Sequence, residues 1–120
     1  MQKNKNIQVP KRGQVFKIRM ATSDRDGHVI TGDHYGIVIT HDLLNNAVQT
    51  AMVVLVTSRE RPGWGWRVPF KLMQGNPDIT SYAITEQIMT FDRKVLNNSV
   101  GFVRAVDLKK ILQNIQEIFK

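Results

Sequence analysis

Two apolar runs limit the folds that are open to this chain. They are "YGIVIT" (35–40) and "QTAMVVLVTS" (49–58), both rich in β-branched residues, of strand length and bounded by turn residues. A run that is apolar throughout, rather than at alternate positions, is typical of a strand buried on both faces. The sequence therefore predicts two strands that are neighbours inside a sheet.

Three further segments predict the rest of that sheet. "GQVFKIRMA" (13–21) alternates imperfectly and favours a strand with one polar face, while "SYAITEQIMTF" (81–91) favours another. "RVPFKLM" (67–73) contains Pro69, which lacks an N–H and so indicates an edge strand. Together these segments predict five or six short strands.

The connections and the C-terminal segment complete the predicted fold. Two long loops are expected, from Thr22 to Asp33 and over "RERPGWGW" (59–66). "HDLLNN" (41–46) predicts one helical turn that is capped by Asp42 and ended by Asn45 and Asn46. From about residue 105 to 119 the apolar residues change to helical spacing, with Asp107 near the positive end. The prediction is a mainly β fold with α, a small barrel or sandwich closed by a C-terminal amphipathic helix.

Length and composition indicate one domain. The chain has 120 residues, is 42% hydrophobic and has no cysteine, which fits a reducing cytoplasm. It shows no signal peptide and no apolar run near the ~20 residues that span a bilayer. We expect a cytoplasmic protein without membrane association, with a flexible basic tail over residues 1–11 and a single domain over 12–120.

The positive charge is concentrated near the N-terminus. The net charge is +7, and residues 1–20 hold six cations and no acid. Such a patch favours binding to a polyanion such as RNA or DNA. A basic tail that serves only solubility explains the charge equally well.

The three histidines do not predict a metal site. His34 and His41 are seven residues apart on one extended run, which places them on opposite faces of a strand. The spacing of His28, Asp33 and His34 matches no standard ligand motif. A cysteine nucleophile and a "GxSxG" serine are both absent. We therefore expect no metal ion and no other cofactor.

The remaining polar groups are sufficient for metal-independent RNA cleavage. That chemistry needs a base, an acid, and donors or cations around the phosphate. The candidates are His28, His34, Thr57, Ser58, Arg59, Arg61 and Glu86, with Trp64 and Trp66 placed to stack on bases. Each has an ordinary alternative, since hydroxyls also end strands, arginines also solvate loops and tryptophans also fold back onto a core.

Several segments together resemble one family. They are "KRGQVFKIRM", "GHVITGDHYGIVITHDLLN", "TAMVVLVTSR", "ITEQIMTFDRKVL" and "VGFVRAVDLKKILQNI". Over roughly residues 11 to 118 the chain is similar to the MazF/PemK toxins of bacterial type II toxin–antitoxin systems. The most specific element is the acid-Gln pair followed by Thr, an apolar residue and Asp.

The resemblance implies a fold, an activity and two partners. It implies an SH3-like β-barrel that forms a homodimer, with single-stranded RNA crossing a groove near the interface. The implied reaction is attack by a 2′-hydroxyl that leaves a 2′,3′-cyclic phosphate and a 5′-hydroxyl without a metal. The implied protein partner is an antitoxin whose acidic, partly disordered segment fills the groove.

The resemblance implies site roles for Thr57, Ser58, Glu86 and His28, and the chain departs from the family at two other positions. With the further candidates included, the predicted catalytic set is His28, His34, Thr57 and Glu86, and the predicted substrate-binding set is Arg25, Ser58, Arg59, Arg61 and Trp64. The family's Arg-Pro at the second strand is His34-Tyr35 here, and the arginine of its acid-Gln-x-Arg-Thr segment is Met89. We expect His34 to act as base or acid, and Arg25, Arg59 or Arg61 to supply the missing positive charge.

Two other functions stay open at this point. The loss of both family arginines fits a non-catalytic barrel that binds a protein target, such as DNA gyrase, or nucleic acid. An ordinary basic structural domain would also account for the charge.

Overall fold

The fold is mainly β and ends in a helix. A computed structural model of the chain describes residues 8–21, 31–60 and 66–120. In chain order its elements are β1 Gln14–Ala21, β2 Thr31–Val38, α1 Asp42–Ala47, β3 Thr50–Thr57, β4 Arg67–Phe70, β5 Ser81–Asp92, β6 Ser99–Phe102 and α2 Ala105–Ile118. The predicted β-rich architecture with a C-terminal helix is confirmed.

The strands form one antiparallel sheet of six strands in the order β4-β5-β3-β2-β1-β6. The sheet curls into a half-barrel. Register shifts at Val15/Phe16 and Val54/Leu55 fit this curvature, because a bulge bends the strand that carries it. The two apolar runs are neighbours inside the sheet, as predicted, and Pro69 lies on the edge strand β4.

Both faces of the sheet are covered, which explains why the two runs are apolar throughout. One buried cluster, the helix-side cluster, lies with α2 and contains Val15, Ile37, Ile39, Val54, Val68, Phe70, Ala83, Val103 and Ile111. The other, the opposite-face cluster, contains Phe16, Ile18, Val38, Ala51, Val53, Leu55 and Leu96. Successive residues of β2 and β3 alternate between the two clusters, so each strand needs an apolar residue at almost every position.

The second strand begins earlier than the sequence predicts. The residues 31–33, expected in the loop, belong to β2 and continue its ladder with β1 as far as the pair Ala21↔Thr31. Asp33 is exposed, and backbone pairing at an exposed position does not require an apolar side chain. The prediction that the loop reaches Asp33 is wrong by three residues.

The short helix α1 is capped by His41 and not by Asp42, which corrects a second prediction. His41 Nδ1 accepts a hydrogen bond from the Leu43 N–H at 3.1 Å, while Asp42 Oδ1 accepts from the Arg12 N–H at 2.7 Å. Because β2 ends at Val38, His41 precedes the helix and does not share a strand with His34. Asn45 lies inside the helix, where its buried side chain donates to the Thr40 carbonyl at 2.9 Å, and does not end it.

Helix α2 is held to the sheet by one buried carboxylate. Asp107, 4% exposed, accepts hydrogen bonds from the Lys71 N–H at 3.0 Å and from Arg104 Nε at 2.9 Å through Oδ2. Arg104 Nη2 donates to Oδ1 at 3.2 Å. The carboxylate thus joins the residue after β4 to the first turn of α2.

We expect Asp107→Asn to lower the free energy of unfolding by about 2–3 kcal/mol, because charge-assisted hydrogen bonds to a buried group are removed. The matched control is Glu117→Gln, which removes the same charge from the exposed Lys120 pair on the same helix and should change stability by less than about 0.5 kcal/mol. Urea unfolding of both variants measures the difference. Equal effects would contradict the role assigned to Asp107.

Candidate functional site

Three polar side chains form a row across the sheet. The β2–β3 ladder pairs Gly36 with Leu55 and Tyr35 with Val56, and this register continued by one residue places His34 opposite Thr57. On the other side of β3, Thr57 pairs with Tyr82 of β5. An imidazole, a hydroxyl and a phenol on adjacent strands are therefore cross-strand neighbours, and we call them the His34–Thr57–Tyr82 row.

The row lies on the same face of the sheet as the opposite-face cluster, just beyond the last buried residues of that cluster. His34 pairs with Ile18, a member of the cluster, and Thr57 is two residues from Leu55, another member. All three side chains of the row are half-buried. Polar groups at this position are supported by a rigid sheet yet remain accessible from outside.

His34 has an unused ring nitrogen. Its Nε2 is buried and has no hydrogen-bond partner in the part of the chain that the structure describes. A buried polar atom without a partner is uncommon, so this nitrogen is an unsatisfied hydrogen-bonding group at the row. Within the same described residues, no group of three His, Asp or Glu side chains is arranged to hold a metal ion.

The chain turns sharply as it leaves β3. Thr57 Oγ1 accepts a hydrogen bond from the Arg59 N–H at 3.2 Å, which closes a local side-chain turn. Ser58 and Arg59 are exposed beside it. The structure therefore places Thr57 in the row and Ser58 and Arg59 at its margin.

A cation that the sequence does not predict lies next to the row. Arg67 pairs with Ile84, which pairs with Leu55, so its side chain belongs to the same face two residues along from Tyr82. Its Nη1 donates to the Arg59 carbonyl at 2.8 Å, and its Nε is buried without a partner among the described residues. Neither Arg67 nor Tyr82 stands out in the sequence, because only the strand pairing brings them to Thr57.

Glu86 lies on a bulge and outside the row. β5 pairs Ile84 with Leu55 and Ile88 with Val54, so residues 85–87 have no partner on β3. Thr85 holds the bulge in place, since its hydroxyl donates to the Trp66 carbonyl at 2.6 Å. At ~3.3 Å per residue, Glu86 is at most about 13 Å along β5 from Tyr82. Its side chain is exposed beside the half-exposed Trp66.

Four of the predicted site residues, His28, Arg25, Arg61 and Trp64, lie outside the described residues. Their roles stay predictions.

An apolar cavity opens on the helix-side face, behind the row. It has a volume of about 250 Å³ and is lined by Val15, Tyr35, Val56, Phe70, Leu72, Ser81 and Val100. Tyr35 and Val100 are 39% and 37% exposed, so part of this apolar surface faces outward. Because side chains alternate along β2, His34 faces the row while Tyr35 faces the apolar cavity.

The side chains of the row and of Arg67 can transfer a proton and bind a phosphate. An imidazole can accept or donate a proton, and hydroxyls with a guanidinium can hold the oxygens of a phosphate. Neither helix in the described ranges has the length and apolarity needed to cross a membrane.

Comparison with known proteins identifies the family. Residues 11–119 match the model of the PemK-like, MazF-like toxins of type II toxin–antitoxin systems. A search of curated proteins finds no significant match.

Solved structures show the same fold at low sequence identity. MazF from Deinococcus radiodurans has a TM-score of 0.71 at 15% identity, covering 93% of this chain and 97% of that one. An endoribonuclease from a mycobacterial species has a TM-score of 0.71 at 19% identity, covering 93% and 92%. An endoribonuclease from a mycobacterial species, solved in complex with its cognate antitoxin, has a TM-score of 0.68 at 18% identity, covering 92% and 93%. With the family model covering nearly the whole chain, this protein belongs to the PemK-like, MazF-like toxins of type II toxin–antitoxin systems.

Proposed function

We propose that this toxin is an endoribonuclease that cleaves single-stranded mRNA without a metal ion or other cofactor. The observation that carries the proposal is the His34–Thr57–Tyr82 row with Arg67 beside it, in a family with structural neighbours described as endoribonucleases. A proton-transfer group, hydroxyls and a cation at the end of a rigid sheet meet the needs of phosphodiester cleavage.

In the proposed reaction His34 takes the proton from a ribose 2′-hydroxyl. The 2′-oxygen then bonds to the adjacent phosphorus as the bond from phosphorus to the 5′-oxygen breaks. Glu86 or His28 protonates the leaving 5′-oxygen, so the products are a 2′,3′-cyclic phosphate and a 5′-hydroxyl. Both reacting oxygens lie on the same phosphorus, so Glu86, which is exposed on its bulge and apart from the row, acts as the acid only if its side chain reaches the phosphate held by the row.

The remaining site residues hold the substrate in this proposal. Thr57, Ser58 and Arg59 contact the phosphate, together with Arg67 and with Arg25 and Arg61 from the loops. Trp64 stacks on a base. Arg67 takes over part of the charge of the family arginine that His34 replaces, since its guanidinium is already anchored on the Arg59 carbonyl beside the row.

We further propose a homodimer in the cytoplasm and an acidic antitoxin as its partner. The half-exposed apolar cavity beside Tyr35 offers a docking surface, and the net charge of +7 attracts an acidic segment. Relatives from Deinococcus radiodurans and a mycobacterial species have been crystallised with their antitoxins.

One observation favours a second candidate, a non-catalytic relative that binds a protein target such as DNA gyrase or nucleic acid. Met89, which stands where the family has an arginine, packs against the opposite-face cluster and supplies no charge. Tight binding to RNA or to gyrase without formation of a cyclic phosphate would favour this candidate over the endoribonuclease.

His34→Asn is expected to slow RNA cleavage by about 10²-fold or more, because the proton-transfer group is removed. The matched control is His41→Asn, the same substitution at a position where asparagine remains a good helix cap, and it should cleave like the wild type. Cleavage of an RNA oligomer in excess chelator, with analysis of the 2′,3′-cyclic end, measures both. Undiminished cleavage by His34→Asn would falsify the proposed role.

Arg67→Gln is expected to reduce kcat/KM by about 10- to 100-fold, because a charge-assisted hydrogen bond to the phosphate is removed. Arg67→Lys should recover part of the rate, since it keeps the charge but not the planar fork. Arg93→Gln is the control: its Nε is also buried without a described partner, but Arg93 follows the opposite end of the β3–β5 ladder. If the Arg67 and Arg93 variants are impaired equally, Arg67 has only a structural role.

A further inference from the structure

A second cavity lies apart from the row, beside the part of β1 that extends beyond its pairing with β6. It has a volume of about 540 Å³ and is bounded by β1, β2 and the segment that links β5 to β6. Of the described residues that line it, three are cations, Lys17, Arg19 and Lys94, and one is a carboxylate, Asp33. The cross-strand pair Lys17↔Tyr35 places Lys17 on the face opposite His34, so this cavity is separate from the proposed catalytic site. We call it the cationic cavity.

The cations of this cavity are only weakly engaged. Lys17 Nζ is 3.4 Å from Asp33 Oδ2, and the two side chains are 38% and 46% exposed. An exposed pair at that distance contributes little to stability and exchanges readily for another anion. Arg19 and Lys94 make no ion pair within the described ranges. Among the described residues, the cations of the cavity thus outnumber the carboxylates that pair with them.

The rest of the lining fits a nucleotide better than a bare anion. Asn97 and Asn98 contribute amide groups, and Val95, which is 40% exposed, contributes an apolar surface. Asn97 Nδ2 donates to the Lys94 backbone carbonyl at 3.1 Å, which orients this amide within the segment that bounds the cavity. Amides and apolar surfaces recognise the edges and faces of unstacked bases, while lysine and arginine bind the phosphates.

We propose that the cationic cavity is an accessory binding site for a nucleotide of single-stranded RNA, away from the scissile bond. The proposal takes the identity of the ligand from the proposed endoribonuclease function. An acidic protein segment is the less favourable occupant, because it binds best to cations spread along a groove and these three cations share one cavity. In this cavity the three cations suit a phosphate, and the asparagines and Val95 suit the base attached to it.

The test combines Arg19→Gln with Lys94→Gln and leaves the Lys17–Asp33 pair intact. The control combines Lys109→Gln with Lys110→Gln, which removes the same charge from exposed positions on α2. Binding is measured by fluorescence anisotropy with a 2′-O-methyl RNA oligomer, which cannot be cleaved, over a range of salt concentrations. We expect affinity to fall about tenfold and the salt slope to be shallower by about 0.7 for each phosphate that is no longer neutralised, with a much smaller change in the control pair.

Two further measurements separate this inference from the proposed function. A dinucleotide substrate, which spans only the scissile bond, should be cleaved at the wild-type rate by the Arg19/Lys94 variant. If the wild type cleaves no RNA yet oligomer binding still depends on Arg19 and Lys94, the endoribonuclease proposal fails and the accessory site stands. The accessory site is overturned if the Arg19/Lys94 and Lys109/Lys110 variants lose RNA affinity equally. It is also overturned if the Arg19/Lys94 variant loses affinity for polyglutamate but not for RNA.

Discussion

The burial of β2 and β3 on both faces is the constraint on which the rest of the structure depends. Each strand contributes alternately to the helix-side and opposite-face clusters, so neither can slip by one residue without exchanging its two apolar sets. Gly36 shows how tightly side chains of the neighbouring strands β1 and β3 pack over β2. A Cβ at this position would lie 2.9 Å from Val53 Cγ2 and 3.1 Å from Ile18 Cδ1. The register that aligns Gly36 with Leu55 is therefore fixed by packing, and the same register places His34 opposite Thr57.

The candidate site benefits from this rigidity without being part of the core. The row begins one pair beyond the last β2–β3 pair, where apolar burial has ended but the strands are still held in place. Proton transfer and phosphate binding both require side chains fixed to within a fraction of an ångström, and strands provide this better than loops. Asp107 fixes the edge strand β4 as well. It accepts a hydrogen bond from the residue that follows β4, and so supports the strand that carries Arg67.

Features that depend on the pattern within one segment are predicted correctly from the sequence, and features that depend on contacts between distant segments are not. The two buried runs and α2 are predictable because their apolar spacing lies in the sequence itself, and the edge position of β4 follows from Pro69. The strand β6 is only four residues long and has no clear apolar spacing, so the sequence does not predict it as a strand separate from α2. Thr57 is predicted through the family resemblance, and His34 is predicted because it stands where the family has an arginine. Tyr82 and Arg67 are not, because their proximity to Thr57 comes from pairing between distant segments, which no local pattern records.

The replacement of the family's Arg-Pro by His34-Tyr35 is best understood as one change with two consequences. Tyr35 sits inside the sheet, between Lys17 and Val56, where a proline would remove a backbone donor from the ladder. With tyrosine there, β2 continues back to Thr31 and carries His34 into the ladder as an ordered strand residue. In the proposed reaction, the charge that the arginine would supply comes from another element. Arg67 can supply it, because a phosphate responds to where a guanidinium lies in space and not to its place along the chain. The strand pairing that fixes Thr57 next to Tyr82 also brings Arg67 to that face, so a histidine at position 34 is compatible with a cationic site.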